Sequence, residues 1–158
     1  MSHRYIFILL MIISLKANSQ NGISHVGKLT SEEREALEKK FNWENDILII
    51  NLYLPTKYHD NYGDNFLANK KNWNTFYQNL QKEDVDIKFV YSDCSNKNQR
   101  LTDEGLFFKD EENFIRNTFL SDKIACNGVI VINKEGSYLI KLNDYNLKNI
   151  ISYVNELR

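Results

Sequence analysis

Short apolar runs of strand length alternate along this chain with stretches whose apolar residues recur every three or four positions. "DILIINLYL" (Asp46–Leu54) is a continuous β-branched and aromatic run that ends at the only proline, Pro55. Such a run is typical of a strand that is covered on both faces. "VDIKFVY" (Val85–Tyr91) alternates apolar with polar positions and predicts a second strand.

A β-hairpin is predicted late in the chain. "GVIVIN" (Gly128–Asn133) and "SYLIKL" (Ser137–Leu142) are separated by a short polar stretch that ends in Gly136. Glycine readily adopts the positive φ that a tight turn demands. The pattern therefore predicts two antiparallel strands joined by a turn at residues 133–136.

The stretch before the first strand predicts one helix and a loose lead-in. Residues 21–28 are polar and contain glycines, so they are predicted to lack regular structure, with His25 solvated. Thr30 and Glu33 have the spacing of a capping box, in which each side chain bonds the other residue's backbone N–H. A short helix from this point to about Phe41 follows.

Three further stretches have helical spacing. One covers about residues 66–83, one follows Asp110 as a predicted N-cap, and the last begins at Asp144 as a predicted N-cap. The apolar positions that define them are, in order, Phe66, Leu67, Trp73, Phe76, Tyr77 and Leu80; then Phe114, Ile115, Phe119 and Leu120; and then Leu147, Ile150, Ile151, Val154 and Leu157.

The predicted order is a helix followed by β-α-β-α-β-β-α. Right-handed crossovers make the first two strands parallel, and the late hairpin adds antiparallel strands at the edge. The last helix then covers one face of the sheet. The pattern indicates one compact α/β domain with a mixed sheet.

The first residues indicate export. Arg4 precedes an apolar run of roughly ten residues, Ile6–Leu15, and Ala17 and Ser19 stand at the −3 and −1 positions of a cleavage site. The run is too short for a membrane span, which takes about 20 apolar residues. We therefore predict a signal peptide at residues 1–19, a lead-in and helix at 20–45, and the main domain at 46–158. The protein is predicted to be bacterial and either periplasmic or secreted.

The charge of the chain excludes several kinds of partner. The formal net charge is −1, and loss of Arg4 and Lys16 with the signal peptide makes it about −3. Basic residues form no stripe, so neither nucleic acid nor an anionic membrane surface is predicted as a partner. Outside the N-terminal run, no segment is apolar enough to predict a membrane span in the mature protein.

Two segments resemble thioredoxin-like proteins. "NGVIVINKEG" (Asn127–Gly136) resembles the T-P-T-x-x-x-I-D-x-x-G segment of periplasmic thioredoxin-like reductases, and "WENDILIINLYLP" (Trp43–Pro55) resembles their first core strand. Both also resemble an uncharacterised bacterial family of exported thioredoxin-like proteins, a domain of unknown function. The resemblance covers about residues 46–157 and implies a thioredoxin-like three-layer α/β/α sandwich.

The chain departs from the reductases at the positions of their chemistry. Reductases carry C-x-x-C in the turn after the first core strand, where a low-pKa thiolate attacks the substrate disulfide. The matching positions here are Lys57 and Asp60, and the reductases' cis-proline position falls at Asn127 or Gly128. The resemblance thus implies that the usual dithiol is missing from this edge of the sheet. The predicted binding residues at the edge are Lys57, Tyr58, His59, Asp60 and Asn127.

Cys94 and Cys126 are the only two cysteines and the candidate redox residues. In the thioredoxin strand order, the strand before Cys94 and the strand after Cys126 are separated by the first core strand. Their backbones are then roughly 10 Å apart, at about 4.8 Å per strand, whereas a disulfide requires Cα atoms within about 7 Å. A structural disulfide, two unpaired thiols and a functional redox pair all remain open.

Other constellations predict no chemistry. His59, Asp60 and Asp64 lack the spacing of a metal site, and a polar turn explains them. Neither a phosphate-binding loop nor a hydrolase or metalloprotease motif occurs, so no metal and no cofactor are predicted. We expect a non-enzymatic binding module with an unknown protein partner. The alternative is a thiol–disulfide or peroxide-linked oxidoreductase that uses Cys94, Cys126 or both.

Overall fold

A computed structural model describes residues 25–53, 77–78, 80, 84–91, 108–120, 127–143 and 145–158. The strands are β1 (His25–Lys28), β2 (Ile47–Tyr53), β3 (Val85–Tyr91), β4 (Phe108–Lys109), β5 (Asn127–Asn133) and β6 (Ser137–Leu142). The helices are α1 (Ser31–Phe41), α2 (Phe114–Phe119), which follows a 3-10 turn at Glu111–Asn113, and α3 (Leu147–Leu157). The predicted helix at 66–83 lies mostly outside the described residues.

The described strands form one mixed sheet. Its order is β1-β6-β5-β2-β3-β4. Strand β2 pairs parallel with β3 and antiparallel with β5, and β5 pairs antiparallel with β6. These pairings confirm the parallel crossover strands and the late antiparallel hairpin. Every residue of β2 is buried, as its continuous apolar run predicts.

The two faces of β2 contribute to different hydrophobic clusters. Leu48, Ile50 and Leu52 pack with side chains of α1 and α2. Ile47 and Ile49 point to the other face and pack with α3 and with Tyr77 and Leu80. Side chains alternate across a strand, so one strand serves both clusters. The layers are helix, sheet and helix, as predicted.

The first helix begins where its capping box predicts. Thr30 accepts a hydrogen bond from the backbone N–H of Glu33 at 3.2 Å, and the Glu33 carboxylate accepts from the N–H of Thr30 at 2.8 Å. The helix ends at Asn42, which adopts the left-handed conformation. Asparagine tolerates this conformation better than most residues do.

Hydrogen bonds join the hairpin turn to the residues on either side of α1. Gly136 has φ of +83°, as the turn predicts, and its carbonyl accepts from the backbone N–H of Leu29 at 2.9 Å. The Lys134 ammonium donates to the carbonyl of Trp43 at 2.8 Å and lies 4.4 Å from the centre of its indole ring. The side chain of Asn133 makes two hydrogen bonds: its Nδ2 donates to the carbonyl of Leu157, and its Oδ1 accepts from the N–H of Ser137.

The loose lead-in predicted at residues 21–28 is wrong for its second half. His25–Lys28 form β1, which pairs antiparallel with β6, so the hairpin does not lie at the edge of the sheet. The His25 ring lies 6.0 Å from that of Tyr138. A Cβ on Gly27 would lie 2.3 Å from the Tyr138 hydroxyl oxygen, so only glycine lets this ring cross the strand.

The predicted start of the last helix is also wrong. Its N-cap is Asn146, which forms a capping box with Asn149, and not Asp144. Both amides accept from each other's backbone N–H, at 3.0 and 3.2 Å. The buried face includes Tyr153, whereas Ile151, predicted on that face, is 39% exposed.

Asp110 caps α2 from outside the helix. The N-cap residue is Asn113 and not Asp110 as predicted, because a 3-10 turn intervenes. The Asp110 carboxylate is nevertheless buried and accepts from the N–H groups of Ile115 at 2.8 Å and Arg116 at 3.1 Å. In the part of the chain that the structure describes, no helix has the length and apolar character to cross a membrane.

Candidate functional site

Three side chains form a row where the parallel strands end. Tyr53 is the last residue of β2 and pairs with Tyr91, the last of β3, and with Asn127, the first of β5. The rings of Tyr53 and Tyr91 lie 5.7 Å apart, and both side chains are buried. The carboxyl ends of parallel strands are the usual place for a site in α/β proteins. We call Tyr91, Tyr53 and Asn127 the edge row.

Asn127 is held in the edge row by its backbone. Its carbonyl accepts from the N–H of Asn143 at 2.9 Å, which ties the start of β5 to the end of β6. At the next residue, a Cβ on Gly128 would lie 2.9 Å from a methyl carbon of Leu142, so glycine permits the close approach of the two strands here. The side-chain Oδ1 of Asn127 is buried and accepts no hydrogen bond from the described residues.

A polar cluster lies on the same face of the sheet, one step inside the edge row. Asn51 is 1% exposed in the middle of β2. Its Oδ1 accepts hydrogen bonds from the hydroxyl of Tyr77 and, at 3.3 Å, from the hydroxyl of Tyr145. The Nδ2 of Asn51 is buried and donates to none of the described residues. We call Asn51, Tyr77 and Tyr145 the Asn51 cluster.

The tyrosines of this cluster stay neutral at physiological pH. Burial raises the pKa of Tyr77 well above its ordinary value, the nearby Tyr145 raises it further, and the hydrogen bond to Asn51 lowers it. Burial also raises the pKa of Tyr145. The two hydroxyls therefore act as donors to Asn51, and the cluster is a neutral hydrogen-bonded unit inside an apolar layer.

The structure places one of the predicted site residues. Asn127 lies in the edge row, at the sheet edge where the resemblance put it. Lys57, Tyr58, His59 and Asp60 lie outside the described residues, as do Cys94 and Cys126. The described strands do fix where the chain enters these segments. Tyr91 precedes Cys94 by three residues, and Asn127 directly follows Cys126.

The Asn51 cluster was not predicted from the sequence. A signal was present, since Asn51 is the one polar residue within "ILIINLY". A lone amide in a strand buried on both faces requires hydrogen-bond partners, which points to a specific polar cluster. The identity of those partners was not visible, because Tyr145 lies in a connection far along the chain.

A cleft lies at the opposite ends of these strands, where β2 begins and β5 ends. Its volume is about 370 Å³, and it is lined by Asp46, Ile47, Asn133, Lys134, Glu135, Leu157 and Arg158. Acidic and basic side chains are balanced there, and Asn133 and Lys134 already bond within the protein. Among the residues that the structure describes, no group of three or more His, Cys, Asp or Glu side chains is arranged to hold a metal ion.

No protein-family model matches the chain, and no curated protein matches it. The resemblance to the uncharacterised exported family therefore stays a prediction. Among solved structures, 14 chains match. One is the pneumococcal exposed lipoprotein thioredoxin Etrx1 from Streptococcus pneumoniae, with 12% identity, a TM-score of 0.54, and coverage of 75% of this chain and 90% of that chain.

A second match is a DsbF homologue from Corynebacterium diphtheriae, with 11% identity, a TM-score of 0.48, and coverage of 73% of this chain and 74% of that chain. At such identities, a structural likeness establishes architecture and not activity. The likeness to Etrx1 agrees with the strand order, the mixed pairing and the three layers described above. The chain therefore has the thioredoxin-like α/β fold.

Proposed function

We propose that this chain is an exported thioredoxin-fold protein that binds a protein partner at the edge row and the loops beside it. The observation that carries the proposal is the edge row itself. It brings the last residues of β2 and β3 and the first residue of β5 side by side at one edge of the sheet. The segment with Lys57, Tyr58, His59 and Asp60 follows Tyr53, the last residue of β2, in the sequence.

The composition of the chain supports binding without dithiol exchange. A C-x-x-C pair needs two cysteines three positions apart, and Cys94 and Cys126 are far from that spacing. Lys57 and Asp60, at the positions that the resemblance matches to the reductive pair, cannot form or break a disulfide. Tyr53 and Tyr91 of the edge row are buried, so the binding surface that we propose is carried by the segment after β2, in which Tyr58 is of a residue type that is common in protein interfaces.

Export is the second part of the proposal. Its support is the apolar run at Ile6–Leu15 with small residues before the expected cleavage site. Mass spectrometry of the protein from a bacterial cell fraction tests it. We expect a mature chain that begins at Gln20, whereas an intact N-terminus in the cytoplasmic fraction contradicts export.

Site-specific photocrosslinking tests the binding site. A photoreactive amino acid replaces Tyr58 or His59 in one pair of variants and Glu135, at the opposite sheet edge, in a matched control. We expect a discrete crosslinked product from the first pair and none from the control. Equal crosslinking at both edges, or none at Tyr58 and His59, refutes binding at this edge.

The edge row also favours a second candidate function, a thiol oxidoreductase. Tyr91 and Asn127 flank Tyr53 in one row, so the segments that carry Cys94 and Cys126 leave the sheet at the same edge. Only β2 separates their strands, a spacing of roughly 10 Å that loop residues can span. Either cysteine, or the pair, would then lie at the edge used for binding.

Thiol titration and an insulin-reduction assay separate the two candidates. A catalytic thiol has a depressed pKa and reacts rapidly with iodoacetamide near neutral pH. If Cys94→Ser and Cys126→Ser leave crosslinking unchanged and the wild type shows no insulin reduction at stoichiometric amounts, binding is favoured. Turnover that either substitution abolishes favours the oxidoreductase.

A further inference from the structure

Two buried amide atoms near the edge row are complementary in hydrogen bonding. The Nδ2 of Asn51 is a donor and the Oδ1 of Asn127 is an acceptor, and neither bonds any of the described residues. Buried polar atoms in folded proteins nearly always have a partner, which is either protein or an ordered molecule. A donor and an acceptor of this kind in one region point to a shared partner.

The strand register places these two side chains close together. Asn51 pairs with Val129, while Asn127 is two residues earlier on the same strand and pairs with Tyr53. Positions two apart on a strand share a face, so both amides lie on the α3 side of the sheet. Such diagonal neighbours have Cα atoms about 7–8 Å apart, with their side chains closer.

This separation suits one bridging molecule. A water that accepts from one group and donates to another spans up to about 5.6 Å, with about 2.8 Å for each hydrogen bond. A water molecule can accept a hydrogen bond from Nδ2 of Asn51 and donate one to Oδ1 of Asn127, so it satisfies both atoms.

We propose that Asn51 and Asn127 bind a structural water molecule between β2 and β5. The water accepts a hydrogen bond from Nδ2 of Asn51 and donates one to Oδ1 of Asn127. It extends the Asn51 cluster into a continuous chain from the hydroxyls of Tyr77 and Tyr145 to the edge row. The Asn127 backbone already bonds Asn143, so the chain ties the polar interior to both strands of the hairpin.

The site is independent of the proposed binding function. It uses only side chains inside the described sheet, and it would exist in a binding module and in an oxidoreductase alike. Its expected effect is to fix the side chain of Asn127, which the resemblance places at the binding edge.

A crystal structure at about 1.5 Å resolution tests the proposal directly. We expect an ordered water within about 3.2 Å of both Nδ2 of Asn51 and Oδ1 of Asn127, with a low displacement factor. A direct hydrogen bond between the two amides overturns the proposal. So does a protein group from elsewhere in the chain that bonds either atom in place of water, or a site without solvent density.

A double-mutant cycle tests the proposal in solution. Asn51→Ala also removes the acceptor of two tyrosines, but this cost is common to both backgrounds and cancels in the cycle. We expect Asn127→Ala to change the unfolding equilibrium constant at least threefold less in the Asn51→Ala background than in the wild type. Additive effects overturn the proposal.

Asn133→Ala is the matched control. Asn133 lies on β5 and the same face as Asn127, but both ends of its amide are bonded within the protein. Its effect should be the same, within about twofold, with and without Asn51→Ala. If Asn51→Ala does not fold, Asn51→Ser serves in the same cycle, since its hydroxyl is too short to reach the bridging position.

Discussion

Replacing Asn51 with leucine tests whether the Asn51 cluster is held by hydrogen bonding or only by packing. The substitution keeps the number of side-chain heavy atoms and their branched arrangement but removes the acceptor that Tyr77 and Tyr145 share. Leaving a buried hydroxyl without its acceptor costs about 1–3 kcal/mol. Because two hydroxyls lose their shared acceptor, we expect the free energy of unfolding to fall by about 2–4 kcal/mol.

A triple variant provides the internal control. Asn51→Leu combined with Tyr77→Phe and Tyr145→Phe removes donors and acceptor together, and replacement of both partners by apolar groups can be nearly neutral. We expect the triple variant to recover at least half of the stability that the single variant loses. Packing alone predicts the opposite order, since each further substitution would add its own cost.

Urea unfolding followed by circular dichroism measures both variants. The m-value should stay constant, since none of the substitutions changes the surface exposed on unfolding appreciably. The reasoning is refuted if Asn51→Leu costs less than about 0.5 kcal/mol, or if the triple variant is less stable than the single one.

Three further predictions concern the capping of α2 by Asp110, the glycine of β1, and stability at alkaline pH. Asp110→Ala removes the acceptor of two N–H groups of α2 and should cost about 1–3 kcal/mol in urea unfolding, and Asp110→Asn should cost less; equal losses contradict the capping role. Gly27→Ala should destabilise the protein by about 1–3 kcal/mol because its Cβ meets the Tyr138 hydroxyl, and a Tyr138→Leu background should reduce that loss in the same assay. Burial raises the folded-state pKa of Tyr77 and Tyr145 above 10.0, so the unfolded chain releases these protons first and stability falls as pH rises above about 10. Thermal melts between about pH 9 and 12 should show this fall, with a shallower slope for Tyr145→Phe; an unchanged slope contradicts burial of that hydroxyl.

Local sequence patterns predicted the centre of this fold well. The apolar run of β2 and the alternating run of β3 each predict a strand to within about a residue. The glycine turn places the two strands of the hairpin equally well. The capping box at Thr30 is local as well, and it places the start of α1.

Elements that depend on distant contacts were not predictable. "HVGK" has no apolar run, and it becomes a strand only because β6 offers its hydrogen bonds and Tyr138 covers Gly27. The start of α3 is a closer case, since Asp144 and Asn146 are both good N-cap residues and only Asn146 has a partner at N3.

The binding role of the predicted site residues stays a prediction, and the resemblance is the source of the one position that the structure describes. Alignment of the hairpin segment placed Asn127 at the edge, and the strand pairing agrees with that position. The Asn51 cluster depends on three segments that meet only in the folded chain. Its central amide was visible in the sequence, but its two tyrosine partners were not.

The pairing of β1 with β6 makes the first described strand and the last strand of the sheet depend on each other. Nearly the whole domain separates these strands along the backbone, so closing the sheet carries a large loop entropy and should come late in folding. A protein that lacks residues 1–28, and with them β1, is expected to keep its central strands while amide hydrogens of β6 exchange faster. Removal of β1 by proteolysis would thus first destabilise β6, the second strand of the late hairpin.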